Sequence, residues 1–450
     1  MEVVQNPFFH RGPIRQRDYF VNRQREVSQA LGLLRNLQNV ALVGPRRIGK
    51  TSLLFHLADP AIHTGQGLSP DEYVFAYLDG EELTELDAGQ IRRAMMEDLV
   101  AALEAGGHEV PTVALPEGRG PLGYRSFRQA VRGLIQRGLK LIFCFDEFEC
   151  LGANPHLGPS FFSSLRGLAS QFDVAYVTAS KVPIQALSYA YAETLSSPFF
   201  NTFAHLHLGL FSDDNAHRLI EELAAKVDVP FPSELSDSIV ELAGSHPLLL
   251  QIAGFHAFEL WRVQGGKWKK DDCDPLRRRL MAEAEPHFHY YWRHLTDGER
   301  YTLAALPLTQ EDESQRGAIR RLERACLIRQ TDQGYAYLSP TFETYVRRQS
   351  VPRLLQLGPF LLDLSRQTAL CHQLPLRVTK TEFRALAHLI RRPGEVVTPE
   401  ELEKALWGNE YIEDPERVRA VIKSLRKALE DEAECLVTKW GVGYMLQIPS

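Results

Sequence analysis

Four apolar runs punctuate the first half of the chain: Val40-Ala41-Leu42-Val43, Tyr73 to Leu78, Leu141 to Phe145 and Val174 to Val177. Each is short, apolar at consecutive positions and rich in β-branched or aromatic residues, the pattern of a strand buried on both faces. Between them the apolar residues recur at the helical period, as in Glu81 to Ala105 and Tyr124 to Gly138, so covering helices are expected on a parallel sheet. Gly106 to Gly123 is rich in Gly and Pro and predicts a surface loop. From Ser212 to about Lys270 the period is helical throughout, which predicts a small helical lid after the sheet.

The second half changes pattern. Helices over Tyr290 to Leu306 and Ser314 to Ala325 lead into Leu327 to Gln330, a turn at Asp332-Gln333-Gly334, and Tyr335 to Leu338. Helices ending in a short hairpin predict a winged helix. Ser350 to Leu357 reads as a connector. The order then recurs from Gly358 to Ser450, without a repeat at the level of sequence. Val378 to Phe383 begins a helix running to Ile390, with Thr379 or Thr381 as cap, and Thr398 to Trp407 forms a second with Pro399 just inside its start. Glu416 to Glu430 forms a third, with Val418, Ile422, Leu425 and Leu429 as one apolar stripe. The expected organisation is an N-terminal extension over 1–19, an α/β core over 20–211, a helical lid over 212–283, and winged-helix domains over 284–349 and 358–450.

Composition adds little to the fold but narrows the class. With 44% hydrophobic and 24% charged residues, most of the chain should fold. The net charge of -6 requires any nucleic-acid site to be a local basic face. Six scattered cysteines, Cys144, Cys150, Cys273, Cys326, Cys371 and Cys435, form no CxxC pair, which fits a reducing compartment. Met1 to Phe20 lacks the apolar stretch of a signal peptide, and no later run approaches a membrane span, so a cytoplasmic protein without membrane contact is expected.

The chemistry begins after the first strand. Gly44-Pro45-Arg46-Arg47-Ile48-Gly49-Lys50-Thr51 fits GxxxxGK[ST], in which glycines let backbone N–H groups turn inward around a phosphate at a helix N-terminus. Lys50 should reach the β- and γ-phosphates of ATP, the Thr51 hydroxyl should bind Mg²⁺, and Ser52 follows on the same helix. A structural loop with this spacing is the alternative, but the preceding strand and the apolar helix Ser52 to Leu57 supply the expected context. Asp146 and Glu147, directly after the third strand, fit the acidic half of such a site: Asp146 orienting Mg²⁺ and its waters, Glu147 polarising the attacking water. A solvated acidic turn that includes Glu149 is the bland reading. Ser180 and Thr178 close the fourth strand, where either could sense the γ-phosphate or simply cap a turn. The expected fold class is therefore an α/β P-loop NTPase core with a parallel sheet and helical lid, followed by two α+β winged-helix domains.

Opposite the apolar stripe of the last helix lie Arg417, Arg419, Lys423, Ser424, Arg426 and Lys427, with no acid among them. Such a face is either solvated surface or a contact for double-stranded DNA. Leu436-Val437-Thr438 and Lys439-Trp440-Gly441-Val442-Gly443-Tyr444 supply a strand, a glycine turn and an aromatic strand suited to a wing. Arg316, Arg320, Arg321 and Arg324 give the central winged unit a second basic helix, though Glu323 lies among them. His287, His289 and His294 are read as parts of a packed helix rather than as metal ligands.

Two resemblances follow from these residues. Phe20 to Glu26, the P-loop, the acidic pair, Ser180, Ser197-Pro198-Phe199-Phe200-Asn201 and Gly244-Ser245-His246-Pro247-Leu248-Leu249 together resemble STAND-type ATPases of the AAA+ superfamily, notably the archaeal-type branch, over about residues 20 to 350. The resemblance implies that Asn22 and Arg23 lie near the adenine and that His246 and Pro247 close on it. Related ATPases carry an arginine after the segment that is Asn201-Thr202-Phe203 here, and this chain does not, so slow turnover or a nucleotide switch is expected. Leu374 to Leu446 closely resembles the winged-helix DNA-binding domain of OmpR/PhoB-type response regulators, on Thr379, Glu382, Glu401, Leu406-Trp407-Gly408, Leu425-Arg426-Lys427 and Gly441-Val442-Gly443-Tyr444. It implies that the helix from Arg417 enters the major groove, with Lys439 on the wing nearby. Trp440, Met445 and Ser424 stand where that family commonly has arginines.

The leading expectation is an ATP-dependent switch that couples nucleotide state to DNA binding in transcription regulation. The rival is an ATP-driven, oligomerising signalling or defence ATPase whose terminal winged helix docks a protein or autoinhibits. Both leave room for a nucleotide-dependent homo-oligomer and for a separate sensor or effector protein. A role in transposition or repair has no nuclease or recombinase signature to support it.

Overall fold

All four apolar runs form strands in the computed structural model: β1 (Asn39–Val43), β2 (Tyr73–Asp79), β3 (Lys140–Asp146) and β4 (Val174–Ser180). A fifth, β5 (Phe203–His207), completes a sheet of order β2-β3-β4-β1-β5 in which every pairing is parallel. The structure describes residues 5–9, 11–111, 120–184, 187, 198–227, 231–307, 316–349, 354–364, 366–407 and 414–448. The expectations placed on Ser197, Ser314, Ser350 and Gly408, and on the middle of the Gly106 to Gly123 loop, lie outside the described residues. The chain forms two units, one of residues 1–285, 324–326 and 338–341, the other of 286–323, 327–337 and 342–450.

In the first unit, alternation along buried strands feeds two cores. Phe143, Phe145 and Tyr176 join one with Phe127, Leu134 and Phe162. Val40, Leu42, Ile142 and Val177 join the other with Leu31 and Leu54 from the helices Gln24–Arg35 and Lys50–Ala58. Because all strands run the same way, the ends of β1, β2, β3 and β4 open at one edge, where α/β proteins place their ligands. Gly44 N–H donates to the Ser180 carbonyl at 3.2 Å and ties two of those ends together. The helix expected from Glu81 starts instead at Ala88, where Asp87 and Gln90 form a capping box. That cap, typically worth about 1 kcal/mol, overrides the apolar period before it.

The expected lid helices are Asp213–Ala225, Ser233–Ala243 and Pro247–Val263. Two short segments from the far side of the chain also belong to this unit. Cys326 is buried in the same core as Val40, Leu42 and Ile48. Thr341 Oγ1 donates to the Leu242 carbonyl at 2.7 Å. Gly244 (φ 63°) lies so near the Leu338 carbonyl that a Cβ there would stand 2.0 Å from its oxygen. Only glycine fits both the backbone and the space.

In the second unit, Asp297–Ala304 starts at a capping box of Thr296 and Glu299, and Arg316–Arg324 precedes the hairpin β6 (Ile328–Thr331) and β7 (Gly334–Tyr337). A four-stranded antiparallel sheet follows: β8 (Leu354–Leu357), β9 (Phe360–Asp363), β10 (Thr368–Cys371) and β11 (Leu374–Leu376). Sequence reading took its first strand for a connector. The helices Lys380–Ile390, Pro399–Trp407 and Pro415–Leu429 then lead to the hairpin β12 (Leu436–Lys439) and β13 (Gly443–Leu446). The stripe Val418, Ile422, Leu425 and Leu429 is buried as expected. Among the described residues no helix is long and apolar enough to cross a membrane. Nor does any group of three or more His, Cys, Asp or Glu side chains there suit a metal ion by itself, and His294 Nδ1 faces the Tyr290 carbonyl at 2.7 Å.

Candidate functional site

The loop after β1 turns through two left-handed residues, Arg47 (φ 67°) and Gly49 (φ 102°), before entering the Lys50–Ala58 helix. Ile48 drops its side chain into the core and pins the turn. Lys50 is only 5% exposed, and its Nζ donates to the carbonyls of Gly44 (2.9 Å) and Pro45 (3.1 Å). Burial pushes its pKa down, while Glu147, Glu149 and Asp146 pull it back up. Among the described residues the ammonium's hydrogen bonds go to two loop carbonyls, weaker partners than an anion would be.

The loop opens into a cleft of about 260 Å³ whose lining includes Arg46, Arg47, Ile48, Gly49, Lys50, Thr51 and Ser52 of the loop and helix, Arg11, Arg23 and Glu147, and the largely apolar set Phe20, Val21, Phe211, Leu219, Pro247, Leu248 and Gln251. The lining combines cations and loop N–H groups with apolar and aromatic side chains, which suits the phosphates and the base of a nucleotide. Arg23 Nη2 donates to the carbonyls of Gly209 (2.6 Å) and Ile48 (3.3 Å), and its guanidinium lies over the Phe211 ring. Asn22, Ser180 and His246 are buried but do not line the cleft. Asn22 Nδ2 donates to the Asn215 carbonyl at 2.6 Å, and Ser180 Oγ to the Val182 carbonyl at 2.7 Å. His246 stands at the N-cap of the Pro247–Val263 helix.

Asp146 is 3% exposed, accepting from Tyr77 O–H at 3.2 Å and from Glu147 N–H at 2.9 Å. With Thr51, Asp79, Glu81 and Glu147, and with Arg15 stacked over Phe55, it lines a second hollow of about 210 Å³. Oxygen donors in an open hollow fit Mg²⁺, which keeps waters and phosphate oxygens rather than a closed protein cage. Asp79, at the end of β2 beside Asp146, escaped sequence reading. So did Lys181, whose Nζ lies 2.9 Å from Glu147 Oε2 and 3.2 Å from Glu149 Oε1. Burial raises Glu147, but the Lys181 ammonium, Lys50 and a bond with Glu149 together leave the carboxyl below its ordinary range. Glu149, more deeply set, is raised.

The N-terminal extension contributes what no motif announced. Asn6 Nδ2 donates to the Phe255 carbonyl and to Glu259, both at 3.0 Å, and Phe8 is fully buried over Gly254. Arg11 pairs with Glu283. Its carbonyl accepts from Arg47 at 3.0 Å, and Ile14 N–H donates to Ser52 Oγ at 2.9 Å. The segment therefore straps the lid helix Pro247–Val263 to the phosphate loop.

In the second unit the basic helix divides its charges. Arg426 turns inward, donating through Nε and Nη2 to the Leu436 carbonyl (3.1 and 2.7 Å) and to Thr438 Oγ1 at 2.6 Å. Arg417 stacks on Trp407 and lies 3.8 Å from Glu403, while Arg419 pairs with Glu416. Ser424 bonds Glu382 and helps hold that carboxyl below its ordinary range against the upward push of burial. Lys423, Lys427 and Lys439 are exposed and make no salt bridge among the described residues. Arg426→Ala should thus act on stability: three lost hydrogen bonds predict destabilisation of the C-terminal module by about 1–3 kcal/mol, read as a lower melting temperature of the full chain.

A family model described as Novel STAND NTPase 2 matches residues 38–311, and one described as Transcriptional regulatory protein, C terminal, matches residues 373–446. The transcriptional regulatory protein AfsQ1 of Streptomyces coelicolor is 34% identical over 95 residues, 20% of this chain and 42% of that protein. The chain spans less than half the length of the curated relatives it matches. Among solved structures, a Walker-type ATPase of Pyrococcus abyssi aligns over 76% of this chain and 99% of its own at TM-score 0.51 and 16% identity. The ORC2 protein of Aeropyrum pernix aligns over 76% and 96% at TM-score 0.50 and 14% identity. At such identities the structural likeness speaks for fold alone. The chain belongs to the Novel STAND NTPase 2 family and ends in a domain of the OmpR/PhoB response-regulator type.

Proposed function

We propose that this protein is an ATP-controlled, DNA-binding regulator of transcription. The observation that carries the reading lies around Gly244. Leu338 to Thr341 press on Leu242 and Gly244, directly before His246 and Pro247, and Pro247 lines the nucleotide cleft. A lid that closes on nucleotide would therefore load the chain leading out of the β6–β7 hairpin, and so favour one arrangement of the C-terminal module over another.

In the cleft, the backbone N–H groups from Arg46 to Thr51 would cradle the phosphates. Lys50 would exchange the Gly44 and Pro45 carbonyls for β- and γ-oxygens, and Arg23 and Pro247 would flank the base. Thr51 and Asp146 would hold Mg²⁺, which when bound neutralises the charge shared by the phosphate oxygens. Glu147 would take the proton of the attacking water only after leaving Lys181, which fits slow turnover. Glu147→Gln should keep nucleotide affinity and lower turnover by about 10²- to 10⁴-fold, measured as phosphate release alongside a binding titration.

Gel shifts of the full chain without nucleotide, with ATP and with ADP test the coupling. DNA affinity should differ between states, and equal affinity in all three would remove it. One feature favours the rival, in which ATP drives assembly and the terminal hairpin docks a protein: Trp440 at the hairpin tip is 92% exposed, with Val442 beside it. Sizing with ATP separates the two, since assembly that ignores Lys423→Glu supports the rival.

A further inference from the structure

We infer that Gln251 reads the base of the bound nucleotide and makes the cleft selective for adenine; this rests on the reading of the cleft as a nucleotide site. Gln251 follows Pro247 by one turn of the Pro247–Val263 helix and so lies on the same face. It is 5% exposed, and among the described residues both Oε1 and Nε2 are buried with no hydrogen-bond partner. The same cleft is lined by Phe20, Val21, Phe211, Leu219 and Leu248, which offer no side-chain donor or acceptor, and by Arg11 and Arg23, of which Arg11 is paired with Glu283 and Arg23 is bonded to the Ile48 and Gly209 carbonyls and Glu26.

Buried polar atoms are nearly always satisfied, and an amide with both ends idle penalises the fold unless something else completes it. A side-chain amide offers one acceptor beside one donor in a plane. Adenine meets it with an N6–H donor beside a ring-nitrogen acceptor, and its flat apolar faces suit the surrounding rings and leucines. Guanine can present O6 and N1–H to the same amide, but its 2-amino group would then be buried against an apolar wall. The acid that lines the cleft, Glu147, is held by Lys181. The lining thus divides the work: the loop binds any triphosphate, and Gln251 chooses among bases.

The test titrates ATP, GTP and purine riboside triphosphate, which lacks the 6-amino group, into the full-length wild type, Gln251→Leu and Gln251→Glu. The wild type should prefer ATP to both others by about tenfold or more, the scale of one good bidentate contact. Gln251→Leu should bind ATP and purine riboside triphosphate alike. Gln251→Glu, with two acceptors facing the N1–H and 2-amino group, should reverse the order of ATP and GTP. Gln251→Met replaces the leucine variant should that fail to fold. An unchanged preference in a folded Leu or Met variant overturns the inference, as does a wild type that binds all three equally. A wild type that binds none of them overturns the nucleotide reading as well.

Discussion

Lys50→Ala is expected to lower affinity for Mg-ATP by about 100-fold or more while leaving the fold as stable as before, or more so. The first effect follows from removing the buried ammonium of the loop; losing a single preorganised charge-stabilising group in a dry site commonly costs about 10²–10³. The second follows from burial. The ammonium gives up hydration for two carbonyl contacts, and its lowered pKa records that cost. Replacing it with a methyl group removes the desolvation along with the function. Thermal melts of the full chain with and without Mg-ATP separate the two: wild type should melt higher with ligand, as mass action requires, and the variant should melt at its own unshifted temperature. A ligand-induced shift in Lys50→Ala equal to that of wild type would contradict the assignment of the cleft.

The second large effect concerns DNA. Lys423→Glu together with Lys427→Glu is expected to weaken DNA binding strongly and to flatten its dependence on salt. Each cation that neutralises a phosphate contributes about 0.9 to the slope of log K against log salt, so losing two should reduce the slope by about two. Attention falls on these lysines because the helix's other charges are otherwise engaged: Arg426 with the hairpin, Arg417 with Glu403 and Trp407, Arg419 with Glu416. Both positions are exposed, so the fold should tolerate the change. Binding measured at two salt concentrations decides it, and an unaltered slope would show that the phosphate contacts lie elsewhere.

The contrast between these sites explains what the sequence could reveal. Phosphate chemistry demands particular residues at fixed spacing, so Gly44 to Thr51 and Asp146 announced themselves, as did the apolar stripe of the last helix; the cap left open between Thr379 and Thr381 falls to Thr379, in a capping box with Glu382. β5 did not, because an edge strand with His205 and His207 carries no continuous apolar run. β8 to β11 did not, because strands of three or four residues are too short for a period to mark; the equally short β6–β7 and β12–β13 hairpins were legible only from the glycine turns at Gly334 and Gly441 that close a helical unit. Lys181 and Asp79 matter through neighbours in space, and the contacts of Asn6 and Phe8 cross some 250 residues of chain. Gln251 sits in an apolar helix as an unremarkable polar residue until its missing partners become visible.

The burial of Cys326 and the pressure of Leu338 on Gly244 bear on how this chain can be divided. A fragment ended where the NTPase family match ends, at residue 311, would strip a thiol from the core beneath β1 and a carbonyl wall from the turn between the second and third lid helices. Such a piece should expose apolar surface and aggregate on expression, whereas one carried through Thr341 keeps both plugs in place. The nucleotide-binding half thus borrows its last bricks from the sequence that follows it, and a gene fusion or domain swap between relatives would need its joint beyond that point.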